Sequence, residues 1–314
     1  MDRREFLENL VMGAGGSAAC LAVDGILRGV ANPDAWSTLT KFIPIGTSLT
    51  ERIPSEHLKA AKTLFGDRGE LLNIVGGRAH YQYPKTMHPD DRWACEVVGQ
   101  YAEQLAAQHE IEAEAAKLSS DGSFICTGSP VSNAWSRAFL QYTYVDQSKP
   151  GHGLYRLPHP ALDLPFEFEL RPEVIRRSTN SKLHGPEAGK QEWNWSIRDR
   201  SGHLFVPSTS GHTSDLLLVS RIPNWLELRR PHKEFNNSVT IFAGTHGVGT
   251  SSVRLLLGDH ELLKNLLLKT SQYQYWQALF TIDGMQRDVH PHSKAKRLIA
   301  TSINRHFQCE PVNV

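Results

Sequence analysis

VTIFAGTHGVGT, residues 239–250, is the stretch that decides the fold class. Its first part, Val239–Ala243, is apolar except for Thr240 and runs into glycine, which predicts a strand buried on both faces. The polar residues behind this run predict a tight turn, and a helical pattern occupies Ser251–Ser271. A buried strand that leads through a glycine turn into a helix is typical of an α/β protein.

Two earlier stretches repeat this order of strand and glycine turn. Leu71–Val75 runs into Gly76 and Gly77, and Ser123–Thr127 runs into Gly128. Further helices are predicted at 55–65, 91–118 and 134–141, and further strands at 215–220, 276–282 and 297–303. Because apolar strands alternate with helices, we expect an α/β fold with a mainly parallel, Rossmann-like three-layer sheet.

The stretch from Lys149 to Gly211 has a different texture, because it is rich in Pro, Gly, Ser and His. Its segments Phe166–Leu170 and Trp193–Ile197 alternate apolar and polar residues, which predicts antiparallel strands with one face in water. We therefore expect a single α/β domain over residues 32–314, in which residues 149–211 form an antiparallel β-rich insertion or flap.

Composition excludes some classes of protein. The chain has 314 residues, a hydrophobic fraction of 40% and a charged fraction of 21%, which are ordinary values for a globular domain. Its net charge of +1, from 34 basic and 33 acidic side chains, lacks the strong positive field of a nucleic-acid-binding protein. Nucleic acid is therefore not expected as a partner.

Neither the cysteines nor the histidines show metal-ligand spacing. The four cysteines, Cys20, Cys95, Cys126 and Cys309, form no CxxC pair, so the sequence contains no zinc-knuckle motif. The histidines form no HExxH motif, and we expect them at the surface or in loops. No metal is predicted, no particular cofactor is indicated, and the disulfide status of the cysteines stays open.

The three glycine turns are the main candidates for a ligand site. In an open parallel sheet such strand ends lie at one edge, and ligands bind in the crevice there. Glycine allows the backbone to approach a ligand closely, and the helix that follows offers unpaired N–H groups to an anion. We expect a phosphorylated or carboxylated small molecule to bind these turns. The candidate contacts are Gly76, Gly77, Gly128, Ser129, Ser132, Asn133, Gly244, Thr245, His246, Gly247, Gly249 and Thr250.

These turns do not match the known nucleotide-binding motifs. Gly244–Thr250 lacks the lysine of a Walker A loop, and no turn fits the GxGxxG dinucleotide fingerprint. Asn133 and Thr250 also have a simpler interpretation, as residues that cap helices after tight turns. The sequence therefore predicts a small anion as the ligand but does not identify which anion.

A hydrolase is the second hypothesis for the same sheet edge. Ser129, His246 and Asp215 stand at strand ends and are the residue types of a nucleophile, its base and the group that orients the base. The GxSxG motif of the α/β-hydrolases is absent. A third hypothesis is a non-catalytic, envelope-associated protein, and the sequence leaves open whether the chain is an enzyme.

The N-terminus begins with Asp2-Arg3-Arg4-Glu5-Phe6-Leu7, and Leu10–Val23 is an uncharged run rich in Gly and Ala. This is the order of a charged n-region and an apolar h-region. As a helix, the run would extend only about 21 Å, short of the ~30 Å hydrocarbon core of a bilayer, and no stable transmembrane span is expected. Cleavage after Ala19 or Ala31 and lipidation at Cys20 stay open.

This segment resembles a twin-arginine (Tat) signal peptide through the matching residues Arg3, Arg4, Phe6 and Leu7, with Asp2 where Ser or Thr is usual. The resemblance implies that residues 1–31 are a leader and that the folded chain is exported by the twin-arginine translocase. The expected location is the periplasm or another extracytoplasmic compartment, or the cytoplasm if the leader does not function. The sequence therefore predicts an exported protein of unknown activity.

Overall fold

The structure is a computed structural model. It describes residues 53–65, 72–76, 89–105, 123–145, 153–158, 160–173, 192–207, 214–226, 237–293 and 296–314. The predicted leader with Arg3, Arg4, Phe6 and Leu7 lies outside these residues, as do Cys20 and Gly77. Within the described ranges, no helix combines the length and the apolar character that crossing a membrane requires.

Helices and strands alternate only in the first part of the described chain, and the later elements fall into runs of strands and of helices. The helices are α1 (Ser55–Phe65), α2 (Pro89–Leu105), α3 (Ala134–Phe139), α4 (Gly247–Ser251), α5 (Val253–Gly258) and α6 (His260–Thr270). The first nine strands are β1 (Leu72–Gly76), β2 (Ser123–Thr127), β3 (Tyr142–Val145), β4 (Gly153–Arg156), β5 (Phe166–Glu173), β6 (Glu192–Asp199), β7 (Leu204–Phe205), β8 (Asp215–Pro223) and β9 (Ser238–Gly244). The remaining strands are β10 (Trp276–Ile282), β11 (Gly284–Val289), β12 (Lys296–Ser302) and β13 (Gln308–Pro311).

The central sheet is mixed. Its six strands lie in the order β1-β2-β9-β8-β10-β13. β2 pairs in parallel with both β1 and β9, whereas β8 is antiparallel to β9 and to β10, and β10 is antiparallel to β13. Smaller antiparallel sheets are formed by β3 with β4, by β5, β6 and β7, and by the hairpin of β11 and β12.

The predicted fold class, a mainly parallel Rossmann-like three-layer sheet, is wrong. In the described residues, strand accounts for 39% and helix for 31%, and most strand pairs are antiparallel. The error has a physical cause, because β8 and β10 are buried along almost their whole length. A strand that is buried on both faces loses the alternation by which an antiparallel strand is usually recognised, so its direction cannot be read from its sequence.

Different layers cover the two faces of the central sheet. One face, which includes Ile125 and Leu217, packs against the helices α1, α2, α5 and α6. The other face, which includes Phe124 and Leu218, packs against α3 and the strands β3, β5 and β6. A Rossmann-like sheet has helices on both faces, whereas here antiparallel strands take their place on one face.

The antiparallel pairing expected for Phe166–Leu170 and Trp193–Ile197 is present in β5 and β6, where Phe168 lies opposite Ile197. Both of these apolar residues are buried in the core beneath the central sheet. On the outer face, the guanidinium of Arg198 donates to the carboxylate of Glu169 over 2.6 Å. The alternation of apolar and polar residues therefore identifies the buried residues of β5, whereas in β6 the polar Ser196 is buried beside Ile197.

The helical pattern predicted over Ser251–Ser271 is confirmed, although the helix is interrupted. The chain forms α4, α5 and α6 in succession, and Asp259 has extended backbone angles between α5 and α6. Its carboxylate accepts the N–H of Leu262 over 3.0 Å and thereby begins α6 as an N-cap. An aspartate in a helical pattern can therefore mark a new helix rather than a solvated position.

Five strands of the central sheet meet at one edge, which we call the polar edge: β1, β2, β9 and β10 end there, and β8 begins there. In register, Gly76 lies opposite Thr127, and Leu217 lies opposite Gly244. The loop after β2 and the turn after β9 are therefore neighbours. The start of α2 also lies here, since a Cβ added to Gly128 would be 3.3 Å from Oδ2 of Asp91.

Candidate functional site

Asp215 lies at the polar edge, where β8 begins beside the turn that follows β9. The residue is only 1% exposed. Its Oδ1 accepts hydrogen bonds from the N–H of Leu216 over 2.9 Å and from the hydroxyl of Thr245, and its Oδ2 accepts from the N–H of Gly249 over 2.6 Å. These donors compensate for the loss of water around a buried carboxylate.

A fourth donor to this carboxylate is His246, whose Nδ1 lies 3.1 Å from Oδ1 of Asp215. Because a carboxylate only accepts hydrogen bonds, Nδ1 carries the hydrogen, and Nε2 is left to face solvent or a ligand. The imidazole is 40% exposed. Burial lowers the pKa of His246, but the hydrogen bond and the negative charge of Asp215 together outweigh burial and raise this pKa above its ordinary value.

Two glycines allow the turn after β9 to close around the carboxylate. A Cβ on Gly249 would lie 2.2 Å from the carbonyl oxygen of Leu216 and 2.9 Å from Oδ2 of Asp215. A Cβ on Gly244 would lie 2.1 Å from the backbone nitrogen of Thr250. Neither position can take a side chain unless the backbone moves. Gly249 thus packs directly against Asp215, and Gly244 packs against the backbone of its own turn.

Several of the candidate ligand contacts in this turn are already hydrogen-bonded to other groups of the protein. The hydroxyl of Thr245 and the N–H of Gly249 donate to Asp215, and the N–H of Gly244 donates to Oγ1 of Thr250 over 3.0 Å. Thr250 lies inside α4, whose N-cap position is held by His246, so the predicted capping role of Thr250 is wrong. Of the residues in this turn, His246 is exposed and Gly247 is partly exposed.

The loop after β2 is held by Asn133, as its capping interpretation predicts. Oδ1 of Asn133 accepts the N–H groups of Trp135 and Ser136 over 2.9 and 3.2 Å, and its Nδ2 donates to the carbonyl of Thr127 over 2.9 Å. Gly128 has a φ of 109°, which favours glycine at the turn. The amide group of Asn133 thus caps α3 and anchors the loop to β2.

The structure brings together two of the three predicted hydrolase residues. His246 contacts Asp215, whereas Oγ of Ser129 accepts the N–H of Ser132 over 3.5 Å, and the carbonyl of Ser129 accepts the N–H of Asn133 over 2.9 Å. Within the described part of the chain, the bond to Asp215 is the one hydrogen bond of the His246 ring. A dyad, rather than a bonded triad, is therefore the arrangement at the polar edge.

Sequence reasoning missed two carboxyl groups at the polar edge. Asp90 and Asp91 lie in the first turn of α2 and are 2% and 3% exposed. Asp91 is hydrogen-bonded to the side chain of Ser132, and burial raises its pKa to about 7. Oγ of Ser251 donates to Oδ1 of Asp90 over 3.4 Å. Acidic residues at a helix start are usually solvated, and no signal in the sequence reveals that these two are buried.

The hairpin of β11 and β12 supplies cationic and imidazole groups to α2. Nε2 of His290 lies 3.4 Å from Oδ1 of Asp90, and a guanidinium nitrogen of Arg297 lies 3.4 Å from its Oδ2. Nε2 of His292 lies 2.8 Å from the carboxylate of Glu96. His290 lies in the turn between β11 and β12, as expected for a loop histidine, but it is only 1% exposed, and burial lowers its pKa. The two histidines therefore fasten a turn to α2.

Within the described residues, no group of three or more His, Cys, Asp or Glu side chains is arranged to hold a metal ion. Cys95, Cys126 and Cys309 are free thiols. Burial raises the pKa of Cys95 to about 12, that of Cys309 to about 11, and that of Cys126 further still. Thiols with raised pKa values are poor nucleophiles at neutral pH.

Comparison with known proteins gives no relative: no protein-family model matches the chain, and no curated protein and no solved structure matches it. A fold by itself does not specify an activity, since one fold supports many different sites. The polar edge is the part of the described structure whose chemistry indicates a function, because an exposed imidazole is held there by a buried carboxylate.

Proposed function

We propose that the polar edge is an active site in which His246 is a general acid–base and Asp215 holds it in position. The observation that supports this most is the 3.1 Å contact between an exposed imidazole and a carboxylate that is 1% exposed. A buried carboxylate held by three further donors fixes both the ring orientation and the tautomer of the histidine. This is the arrangement that proton transfer by histidine requires.

The reaction class that fits this dyad is hydrolysis of a small molecule. Because the Nδ1–H of His246 donates to Asp215, Nε2 can accept a proton from a nucleophile and return it to a leaving group. Ser129, the nucleophile considered from the sequence, bonds within its own loop. Water is therefore the nucleophile that we propose, with the substrate bound between the loop after β2 and the turn after β9.

The test uses a panel of chromogenic substrates: a carboxylic ester, an amide, a phosphomonoester and a phosphodiester. We expect the wild-type protein to hydrolyse at least one of them and His246→Gln to lower kcat by about 100-fold or more. Asp215→Asn should also lower kcat, because the ring then loses its orientation. His306→Gln, which replaces an exposed histidine on another part of the chain, is the matched control and should keep the wild-type rate.

Two results contradict the proposal. One is hydrolysis that is equally fast in the wild-type protein and in His246→Gln. The other is a wild-type protein that hydrolyses no member of the panel faster than buffer does. Circular dichroism and the unfolding temperature of each variant establish that a lost rate is not a lost fold.

Binding of a small phosphorylated or carboxylated molecule without catalysis is a second candidate, and the raised pKa of His246 favours it. An imidazolium at the polar edge can form a charge-assisted hydrogen bond to an anion. The N–H of Gly249 and the hydroxyl of Thr245 are already bonded to Asp215, so His246 is the group on which such binding depends. A titration with inorganic phosphate or citrate at about pH 6, followed by NMR, should shift the His246 resonances. If the anion shifts the resonances of other polar-edge residues equally in the wild-type protein and in His246→Gln, this candidate is contradicted.

We also propose that residues 1–31 direct export through the twin-arginine translocase. The support is the order of Arg3-Arg4, Phe6-Leu7 and the uncharged run Leu10–Val23. In a host with a functional translocase, mass spectrometry of the envelope fraction should find a shortened N-terminus. A double variant, Arg3→Lys with Arg4→Lys, should leave the uncut chain in the cytoplasm. An uncut wild-type chain that stays in the cytoplasm would contradict export.

A further inference from the structure

The carboxyl group of Asp91 is enclosed where α2 meets the loop after β2. It is hydrogen-bonded to the side chain of Ser132, and the residue is 3% exposed. The Gly128 backbone passes so close that a Cβ there would lie 3.3 Å from Oδ2 of Asp91 and 2.8 Å from Oγ of Ser132. The absence of a side chain at Gly128 thus lets the loop rest directly on Asp91.

The neighbouring carboxylate of Asp90 has a different environment. It faces Arg297 and His290 from the hairpin of β11 and β12, and Ser251 from α4. A guanidinium and hydrogen-bond donors favour the ionised form of a carboxyl group. Asp90 is thus a buried carboxyl group with a guanidinium beside it.

Within the described residues, Asp91 has no comparable compensation. The titratable group that acts on it is the carboxylate of Asp90 on the same helix, and the facing loop contributes the hydroxyl of Ser132. The thiol of Cys95, also on α2, has its own pKa raised by Asp91. Among the described residues, no cation contacts Asp91. Burial and a negative neighbour both favour the neutral acid, and together they outweigh the hydrogen bond from Ser132.

We propose that Asp91 is a proton-controlled support of the loop Gly128–Asn133, which rests on α2 when the carboxyl group is protonated and separates from α2 when the proton is lost. Loss of the proton leaves a second negative charge beside Asp90 in an enclosed space. Movement of the loop relieves this repulsion, because water can then reach the carboxylate. Burial raises the pKa of Asp91 to about 7, which places the change near neutral pH.

The loop controlled by Asp91 is next to the turn that carries His246, because β2 and β9 are parallel neighbours in the sheet. Movement of the loop would therefore widen the polar edge beside His246. The proposal rests on the packing of Asp91 and does not require His246 to be catalytic. Its test accordingly measures the loop and not an activity.

The test is hydrogen exchange of the full chain, measured by mass spectrometry on peptides that cover residues 128–136. The amide of Gly128 donates to the carbonyl of Phe242 in β9, and those of Ser132 and Asn133 donate to the carbonyl of Ser129 within the loop. These amides lose protection when the loop opens, which is the movement expected once it is no longer supported by Asp91. After correction for the intrinsic exchange rate, we expect protection in the wild-type protein to fall by about 10-fold between about pH 6 and about pH 8.5. Asp91→Asn mimics the neutral acid and should keep its protection at both pH values.

Asp288→Asn, an exposed position in the hairpin, is the matched control and should behave like the wild-type protein. If Asp91→Asn does not fold, Ser132→Ala provides the second test. The hydroxyl of Ser132 lowers the pKa of Asp91, so its removal should move the midpoint of the loss of protection to higher pH. The proposal is overturned if the wild-type loop stays protected, if Asp91→Asn loses protection to the same extent, or if the Ser132→Ala midpoint does not rise.

Discussion

The carboxylate of Asp215 accepts hydrogen bonds from residues that lie far from it in sequence. Leu216 is its chain neighbour, but Thr245, His246 and Gly249 come from the turn after β9, and the register of β8 with β9 brings them together. The sequence identifies Asp215 and His246 as candidate residue types. Their contact depends on an antiparallel pairing that the apolar runs do not reveal.

We expect Asp215→Asn to lower the pKa of His246. The substitution removes the negative charge and the carboxylate acceptor that raise this pKa, while the burial that lowers it remains. NMR titration of the His246 ring measures the change, and Asp288→Asn should leave the titration as it is in the wild-type protein. A His246 pKa that stays the same or rises in Asp215→Asn would show that the carboxylate does not act on the ring.

Gly249→Ala should destabilise the protein by about 2 kcal/mol or more, because the added methyl group collides with the carbonyl of Leu216 and with Asp215. Gly258→Ala is the matched control, since a Cβ at the end of α5 meets no atom within 4 Å. It should be neutral or stabilise the protein by up to about 1 kcal/mol. Urea unfolding of both variants decides the matter, and equal stabilities would contradict the packing described around Asp215.

At the scale of elements, the sequence locates most segments but not their partners. The predicted strand at 276–282 and the helix at 55–65 are confirmed with the same bounds. The strands β3, β4 and β11 were not predicted, because they are short or lack a continuous apolar run. The helix predicted to reach residue 118 is described as far as Leu105. The direction of β8 is set by its pairing with β9 and β10, and its burial on both faces hides that direction from the sequence.

Asp259→Ala tests the boundary between α5 and α6. The substitution removes the acceptor of the Leu262 N–H, and we expect a loss of about 1 kcal/mol in the free energy of unfolding. Glu261→Ala changes an exposed carboxylate in the same turn and should alter stability by less than about 0.5 kcal/mol. If both variants lose the same amount, the effect comes from charge at the helix start and not from the cap.

At the scale of the whole molecule, two separate cores hold the central sheet, one beneath helices and one beneath antiparallel strands. The polar edge is the place where the buried carboxyl groups of α2 meet the loops of the parallel half. Sequence reasoning could predict neither the mixed sheet nor the burial of Asp90 and Asp91, because both follow from contacts between distant segments. It did place the candidate chemistry at strand ends.

The unfolding free energy should depend on pH through Asp91. The folded-state pKa of about 7 exceeds the ordinary value of 3.8, so between these values the folded protein binds more protons than the unfolded chain. Stability from this group therefore falls as pH rises from about 4 to about 7, by on the order of 4 kcal/mol. Urea unfolding across this range should show that Asp91→Asn removes this fall. Parallel pH profiles of the two proteins would contradict the assignment.

The antiparallel centre of the sheet also has a consequence for the order of folding. Pro223 of β8 pairs with Ser238 of β9, so only a short loop has to close between these strands. Phe124 of β2 pairs with Val239 of β9, and the chain segment between them is much longer. Closing a short loop costs less chain entropy and is faster. We expect pulsed hydrogen exchange during refolding to protect β8 and β9 before β2. The dyad of Asp215 and His246 would then assemble early, and the loop resting on Asp91 would join it late.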